Sequence, residues 1–242
     1  MTGVRYAVLI PARLGSTRLP EKVLLDRSGK YLVQHVVERA LEAPGSPQVV
    51  VLTDDDRVVT AVRSFGGEVL LTRPDHPSGT DRCAEAAEHI DADVFVNLQA
   101  DEPLIEPVDL ARLAEAAAAA DTDLATLGHP FTDEAMRGDP NAVKAIVGAD
   151  GFALDFSREA PDPEPAGSEV LHHLGLYAWR RGRLLAFTAL APSPREQAER
   201  LEQLRAVEDG WRIRVLRSTR PAFGIDTPED YEAFLREIGR IG

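Results

Sequence analysis

Three cations crowd the segment "IPARLGSTRLPEK" (residues 10–22): Arg13, Arg18 and Lys22, with Gly15 and Ser16 among them. A loop of that make-up can wrap phosphate oxygens in backbone N–H groups and bridge them with guanidinium forks. Lys22 would add a compact point charge for a β- or γ-phosphate. The segment has neither the GxxxxGK[ST] spacing of a Walker loop nor the GxGxxG dinucleotide fingerprint. Surface loops also carry Arg and Lys for no chemical reason, so the phosphate reading needs support from elsewhere in the chain.

"VNLQADEPLIEP" (residues 96–107) supplies it, placing Asp101 and Glu102 three and four residues beyond Leu98, the last apolar residue of a strand-like run. "FGIDTPED" (residues 223–230) offers a second acid, Asp226, after a short apolar stretch and before a helical pattern. Magnesium is usually held by one or two carboxylates together with phosphate oxygens. Two remote acids at strand ends beside a cationic loop therefore make a coherent site for phosphoryl or nucleotidyl transfer. Plainer roles stay open: Asp101 as a turn former and Asp226 as a helix N-cap. In "HHLGLYAW" (residues 172–179), His172 and His173 face opposite ways on a strand and cannot share a metal ion. One of them could meet a substrate carboxylate in a pocket, or serve the structure alone. Glu199, Glu202 and Arg205 in "ERLEQLR" fall on one helical stripe, ordinarily a solvated face. Nothing resembles a Ser-His-Asp nucleophile arrangement.

These residues need elements to position them. Residues 6–10, 49–53, 68–72 and 94–98 are near-continuous apolar runs that predict buried strands. Helical patterns fall between them at residues 31–43, 54–67 and 79–90. Strand–helix–strand repetition predicts an α/β fold: a mostly parallel central sheet with helices on both faces, Rossmann-like, with ligands at the carboxyl ends of the strands. Further strands are expected within residues 124–131, 142–148, 174–179 and 212–216, with a proline-rich acidic loop at 158–169. One helix is expected across residues 193–205. Another spans 227–238, where Thr227 and Asp230 form a capping pattern and Pro228 suits the first helical position. No repeat or domain boundary is visible, so residues 1–242 are read as a single domain.

The totals narrow the function. The formal charge of −13 argues against coating nucleic acid or a membrane surface. Residues 1–40, however, carry seven Lys or Arg against three acids, which suits a small anionic ligand. Cys83 is the single cysteine, so an internal disulfide or a cysteine-based zinc site is excluded. No apolar stretch approaches the roughly 20 residues of a membrane span. A reduced, cytoplasmic, soluble protein is expected.

In order along the chain, these segments resemble the 3-deoxy-manno-octulosonate cytidylyltransferases, or CMP-Kdo synthetases. "IPARLGSTRLPEK" resembles that family's nucleotide loop, "TRPDHPSGTDRCAEA" its cytosine-reading segment and "VNLQADEPLI" its first metal motif. "DPNAVKAIVGADGFALDFSR", "HHLGLYAWRRG", "SPREQAERLEQLR" and "GIDTPEDYE" match the rest, so the likeness runs nearly end to end. The resemblance implies a nucleotide-diphospho-sugar transferase-like fold, a homodimer, and residues 1–130 serving the nucleotide with 131–242 serving the sugar and dimerisation. It implies a magnesium-dependent reaction of CTP with a 3-deoxy-2-ulosonic acid, Kdo above all, giving the CMP-sugar and pyrophosphate for lipopolysaccharide or surface polysaccharide synthesis. Carried over by position, Arg13, Ser16, Lys22, Arg73, Ser78 and Gln99 would bind the nucleotide. Asp101 and Asp226 would hold Mg2+ and act catalytically with Arg13 and Lys22. Gln99, His173, Tyr177, Glu202 and Gln203 would line the sugar site.

Three departures stand out. The family usually has glycine where this chain has Ala100 and Glu21. A positive φ at Ala100 would be strained, and Glu21 is tolerable near phosphates only if it points outward. The acidic loop at 158–169 replaces an aromatic and basic one, which leaves room for an amino-Kdo or another sugar acid as acceptor. A non-catalytic nucleotide-binding regulatory subunit is the alternative from a different class, and the intact pair of acids argues against it.

Overall fold

The structure, a computed structural model, describes residues 3–16, 18–221 and 223–241. Thr17 of the opening loop lies outside the described residues. Strand β1 (Tyr6–Pro11) sits between β2 (Gln48–Thr53) and β4 (Val94–Asn97), with β3 (Glu68–Leu71) beyond β2, all four parallel. Their crossovers are α1 (Leu32–Leu41), α2 (Asp56–Ser64) and α3 (Gly79–Ala87). After α4 (Pro107–Ala118) and β5 (Leu124–His129) come α5 (Glu134–Gly138), β6 (Lys144–Val147), β7 (Ala153–Ser157) and the long β8 (Glu169–Arg180). One end of β8 enters the central sheet antiparallel to β4 and β5, and the other pairs with β6. Between the two ends Gly175 takes φ 69°, a left-handed conformation that a side chain would resist. The chain closes through α6 (Arg181–Ala189), α7 (Pro194–Glu199), α8 (Gln203–Glu208), β9 (Ile213–Arg217) parallel to β5, and α9 (Pro228–Ile241).

The strands alternate in what they bury, as a pleat requires. Tyr6, Val8 and Ile10 of β1 face Val33, Val36 and Val37 of α1 and Leu110 and Leu113 of α4. Ala7 and Leu9 face Cys83, Ala86 and Ala87 of α3 and Phe187 of α6. Both faces are apolar because both are covered, which is why the sequence reads as unbroken hydrophobic runs. A third cluster, Leu32, Ile225, Tyr231 and Phe234, seats α9 against the start of α1 and so fixes the segment that carries Asp226.

Most expected elements fall where the pattern puts them, within a residue or two at each end. The helix expected across residues 193–205 is broken into α7 and α8. Ser193 and Glu196 form a reciprocal capping box at its start, and Arg200 adopts a left-handed φ of 56° that ends α7. Arg205, at 2.9 Å from Nε to Glu196 Oε2, folds the second helix back on the first. The turn places Glu202 and Gln203 toward the sheet.

Candidate active site

Ala12 N–H ties the end of β1 to Leu52 O of β2 at 2.8 Å, and Leu98 N–H laces the carboxyl ends of β1 and β4 together by donating to Leu9 O at 2.9 Å. Both chains then leave the sheet side by side, one into the cationic loop and the other into Gln99, Ala100 and Asp101. The start of α3 closes in from below, with Gly79 so near Pro11 that a Cβ there would touch it at 3.4 Å. Ile225 N–H donates to Asp101 O at 3.0 Å and brings the second acid to the first. A cleft of about 320 Å³ results, lined on one wall by Arg13, Ser16, Arg18 and Lys22 and on others by Ser78, Arg82, Gln99, Asp101 and Asp226.

At its centre the Lys22 ammonium lies 2.5 Å from Asp101 Oδ2, 2.9 Å from Asp226 Oδ1 and 2.9 Å from Ile225 O. Arg18 holds the other oxygen of Asp226 at 2.8 Å. Burial alone would lower the Lys22 pKa, but the two carboxylates outweigh it and raise the ammonium's pKa above its ordinary value. The N-cap role open to Asp226 is filled by its neighbour: Thr227 Oγ1 accepts from Asp230 N–H at 3.2 Å and Asp230 Oδ2 from Thr227 N–H at 2.9 Å. Asp226 is thereby left to face the cleft. The donor set converging on one cation is two carboxylates and a carbonyl, the hard oxygens that suit magnesium. Among the described residues no group of three or more His, Cys, Asp or Glu could hold a metal. Phosphate and water oxygens would therefore have to complete the coordination.

Behind Asp101 lies Glu102, buried, its Oε2 accepting from Phe223 N–H at 3.4 Å. Burial, with the neighbouring charge of Asp101, pushes its carboxyl up to about 8. Ala100 does not take a positive φ; among the described residues the left-handed non-glycines are Glu21, Ser46 and Arg200. The strain falls on Glu21 instead, at φ 54°, and its carboxylate points outward to Arg57 at 2.7 Å.

The structure distributes the expected site residues unevenly. Arg13 is exposed in the cleft, with no hydrogen-bond or ion-pair partner among the described residues. Ser16 Oγ accepts from Leu19 N–H at 3.4 Å, and Ser78 Oγ caps α3 through Asp81 N–H at 3.2 Å. Arg73 is outside the cleft, in a neighbouring groove with Asp75 and Glu85 each 3.8 Å away. His173, Tyr177 and Gln203 are buried behind it in a closed chain of hydrogen bonds. Tyr177 Oη donates to Gln203 Oε1 at 2.9 Å, and Gln203 Nε2 approaches His173 Nδ1 at 3.4 Å. His173 Nε2 meets Thr126 Oγ1 at 2.8 Å, whose hydroxyl donates to Leu176 O at 2.6 Å. That chain assigns the His173 proton to Nε2, and burial pushes its pKa down to about 3. His173 is thus a neutral member of a satisfied network. Glu202 stands at the turn into α8, its pKa raised by burial against the opposing pull of Thr80 and Arg205.

Three cleft or near-cleft groups were not singled out from sequence. Arg82 lies in "GTDR" as a buried guanidinium bonded to Thr72 and 3.4 Å from Asp54, and His76 is bonded to Glu85. Glu102 was seen only as the neighbour of Asp101. A buried Arg and a His inside a segment already marked as a ligand loop were the available signal.

Cationic loop, paired acids and α/β sheet define a nucleotide-handling transferase, and the protein-family profile described as "Cytidylyltransferase" matches residues 7–213. A 3-deoxy-manno-octulosonate cytidylyltransferase from Pectobacterium carotovorum subsp. carotovorum is 47% identical over 238 residues, covering 93% of this chain and 95% of that protein. One of the same description from Geobacter metallireducens is 43% identical, covering 98% and 99%. The chain belongs to the 3-deoxy-manno-octulosonate cytidylyltransferases. A solved structure described as CMP:2-keto-3-deoxy-manno-octonic acid synthetase complexed with CTP matches at TM-score 0.90 and 40% identity, over 98% of this chain and 100% of the other. A cytidylyltransferase from Leptospira borgpetersenii shares the fold alone, at TM-score 0.67 and 20% identity, over 98% of this chain and 87% of the other.

Proposed function

We propose that the protein joins CTP to 3-deoxy-D-manno-octulosonate, releasing pyrophosphate and giving CMP-Kdo for lipopolysaccharide or surface polysaccharide synthesis. The observation that carries the reading is the convergence of Asp101 and Asp226 on one cation beside a loop of Arg and Lys, in a chain at 40% identity to a CTP-bound relative. Arg13, Ser16 and Lys22 take the phosphates, Ser78 the nucleoside side, and Arg73 reaches it from the adjoining groove. Asp101 and Asp226 hold Mg2+, which supplies charge neutralisation on the triphosphate when bound. The anomeric hydroxyl of the sugar acid attacks the α-phosphorus, the new P–O bond forms and the α–β bridging bond breaks. Arg13 and Lys22 stabilise the charge that moves onto pyrophosphate. Gln99 is the acceptor-facing group in the cleft, backed by Glu202, Tyr177, His173 and Gln203. The reading divides the chain into a nucleotide part, residues 1–130, and a sugar and dimerisation part, residues 131–242, in a cytoplasmic homodimer. Among the described residues no helix is long and apolar enough to cross a membrane.

The test is pyrophosphate release with Mg2+ over CTP, UTP and ATP against Kdo, amino-Kdo and sialic acid. Release with CTP and Kdo alone is expected. Release with CTP and a different acid would move the acceptor, and silence with CTP still bound would leave a binding subunit. Sedimentation of the protein at micromolar concentration checks the dimer.

A further inference from the structure

The apolar face of the sheet that packs on α3, α6 and α8 contains polar atoms that the fold does not need. Asn97, 1% exposed, points into the same layer as Leu9, Phe95 and Trp179. Thr80, also 1% exposed, meets it from the first turn of α3. The carboxylate of Glu202 enters from α8. These groups form a line: Thr80 Oγ1 donates to Glu202 Oε1 at 2.5 Å, Asn97 Nδ2 donates to Thr80 Oγ1 at 3.5 Å, and Gln99 Nε2 donates to Asn97 Oδ1 at 3.4 Å. Gln99 then opens into the cleft.

The line has one direction. A hydroxyl has a single proton, and Glu202 takes it, so Thr80 can only accept from the next group. Asn97 must present its NH2 to Thr80 and its carbonyl to Gln99. Gln99 must in turn give its NH2 inward, which leaves Oε1 as its face toward the ligand. A chain of this kind costs desolvation of two buried polar side chains, Thr80 and Asn97, and returns nothing to packing that apolar residues would not supply.

We infer that Thr80 and Asn97 are positioning residues: anchored on Glu202, they fix the Gln99 amide so that its carbonyl oxygen, not its NH2, meets a hydroxyl of the acceptor sugar. The acceptor rather than the triphosphate is assigned as the partner because the line behind Gln99 runs away from the cationic loop, through Asn97 in register with Tyr177 of β8 and through Thr80 to Glu202, into the half of the chain that the proposed reading gives to the sugar. The inference rests on the proposed reaction, and its test has an arm that does not.

The probes are Thr80→Val, which keeps shape and removes the hydroxyl, and Thr80→Ser, which restores it. In the pyrophosphate assay Thr80→Val is expected to raise the KM for Kdo about tenfold with kcat nearly unchanged, the pattern of a lost uniform binding contact. CTP affinity measured by calorimetry without acceptor should stay within about twofold, and Thr80→Ser should recover the KM. In the second arm, side-chain amide NMR on the free protein reads the Nε2 protons of Gln99, assigned with Gln99→Leu. Slow exchange in wild type and Thr80→Ser and its loss in Thr80→Val is the expected result. An unchanged KM for Kdo, or a Thr80→Ser as impaired as Thr80→Val, overturns the role in acceptor binding. Unchanged Gln99 amide exchange in Thr80→Val overturns the chain itself, whatever reaction the wild type performs.

Discussion

The Lys22 ammonium occupies the place that a divalent ion bound to Asp101 and Asp226 would take, which gives an unusual sign to a simple substitution. A magnesium or manganese ion binds carboxylate oxygen at about 2.1 Å. Lys22 Nζ already stands 2.5 and 2.9 Å from one oxygen of each acid, so the two cations cannot coexist there. Metal binding in the absence of CTP must first expel Lys22. Each charge-assisted bond surrendered is worth about 1.5–3 kcal/mol net. The Asp226 side chain is 42% exposed and keeps Arg18 on its other oxygen, so its bond belongs well below that range. A total expulsion cost of roughly 2–3 kcal/mol corresponds to about 30- to 150-fold in metal affinity. Lys22→Met removes the competitor and leaves two acids facing each other. The variant is expected to bind Mn2+ tighter than wild type by at least tenfold, read by calorimetry or electron paramagnetic resonance on nucleotide-free protein. CTP binding should move the opposite way, because the phosphates lose their point charge. Equal or weaker Mn2+ binding by Lys22→Met would refute the reasoning, whatever happens to CTP.

Two further outcomes follow from single residues. Glu102 titrates at about 8 in the folded protein against an ordinary value of 4.5. A raised carboxyl adds stability that is full below pH 4.5 and is lost as pH climbs through 8, so the metal-free protein should weaken between about pH 5 and 8 by on the order of 1–3 kcal/mol. Urea unfolding with chelator at both ends of that window should show this slope in wild type and a flatter one in Glu102→Gln; equal slopes would remove Glu102 as its source. Glu21 holds a left-handed φ that costs a side chain about 1–2 kcal/mol, and its exposed bond to Arg57 returns little. Glu21→Gly relieves the strain and Glu21→Ala does not, so the glycine variant should be the more stable by about 0.5–1 kcal/mol after glycine's own entropic penalty. An alanine variant at least as stable would contradict the strain at this position.

Residues whose role follows from local pattern were legible in the chain itself. Val8 and Leu9, or Val50 and Val51, announce a strand covered on both sides, and the strand ends then locate Asp101 and the loop of Arg13 and Lys22. The break between α7 and α8 was not legible, because its cause is a contact between residues nine apart, Arg205 and Glu196, together with a left-handed Arg200 that carries no glycine to mark it. The strained residue was legible as a departure from glycine, but which of Glu21 and Ala100 bears the φ needs backbone coordinates.

The acceptor side was the least legible, and for a physical reason. His173 in sequence is a titratable group near a pocket. In the fold its Nε2 proton goes to Thr126 and its Nδ1 lone pair faces Gln203, so it carries no charge to offer a carboxylate at any physiological pH. Thr126 and Thr80 are ordinary strand and helix residues by type, and Asn97 follows "VFV" as any strand terminus might. Their role arises only when β4, β5, β8, α3 and α8 meet, since a hydroxyl's direction of donation is set by which carboxylate or carbonyl lies opposite. On the proposed reading, recognition of the sugar acid would rest on the orientation of the Gln99 dipole, anchored through Asn97 and Thr80 on Glu202, while Lys22, Arg18 and the two acids concentrate charge elsewhere in the same cleft. A design that altered acceptor choice would begin with Thr80, Asn97 and Thr126, and leave the cationic loop alone.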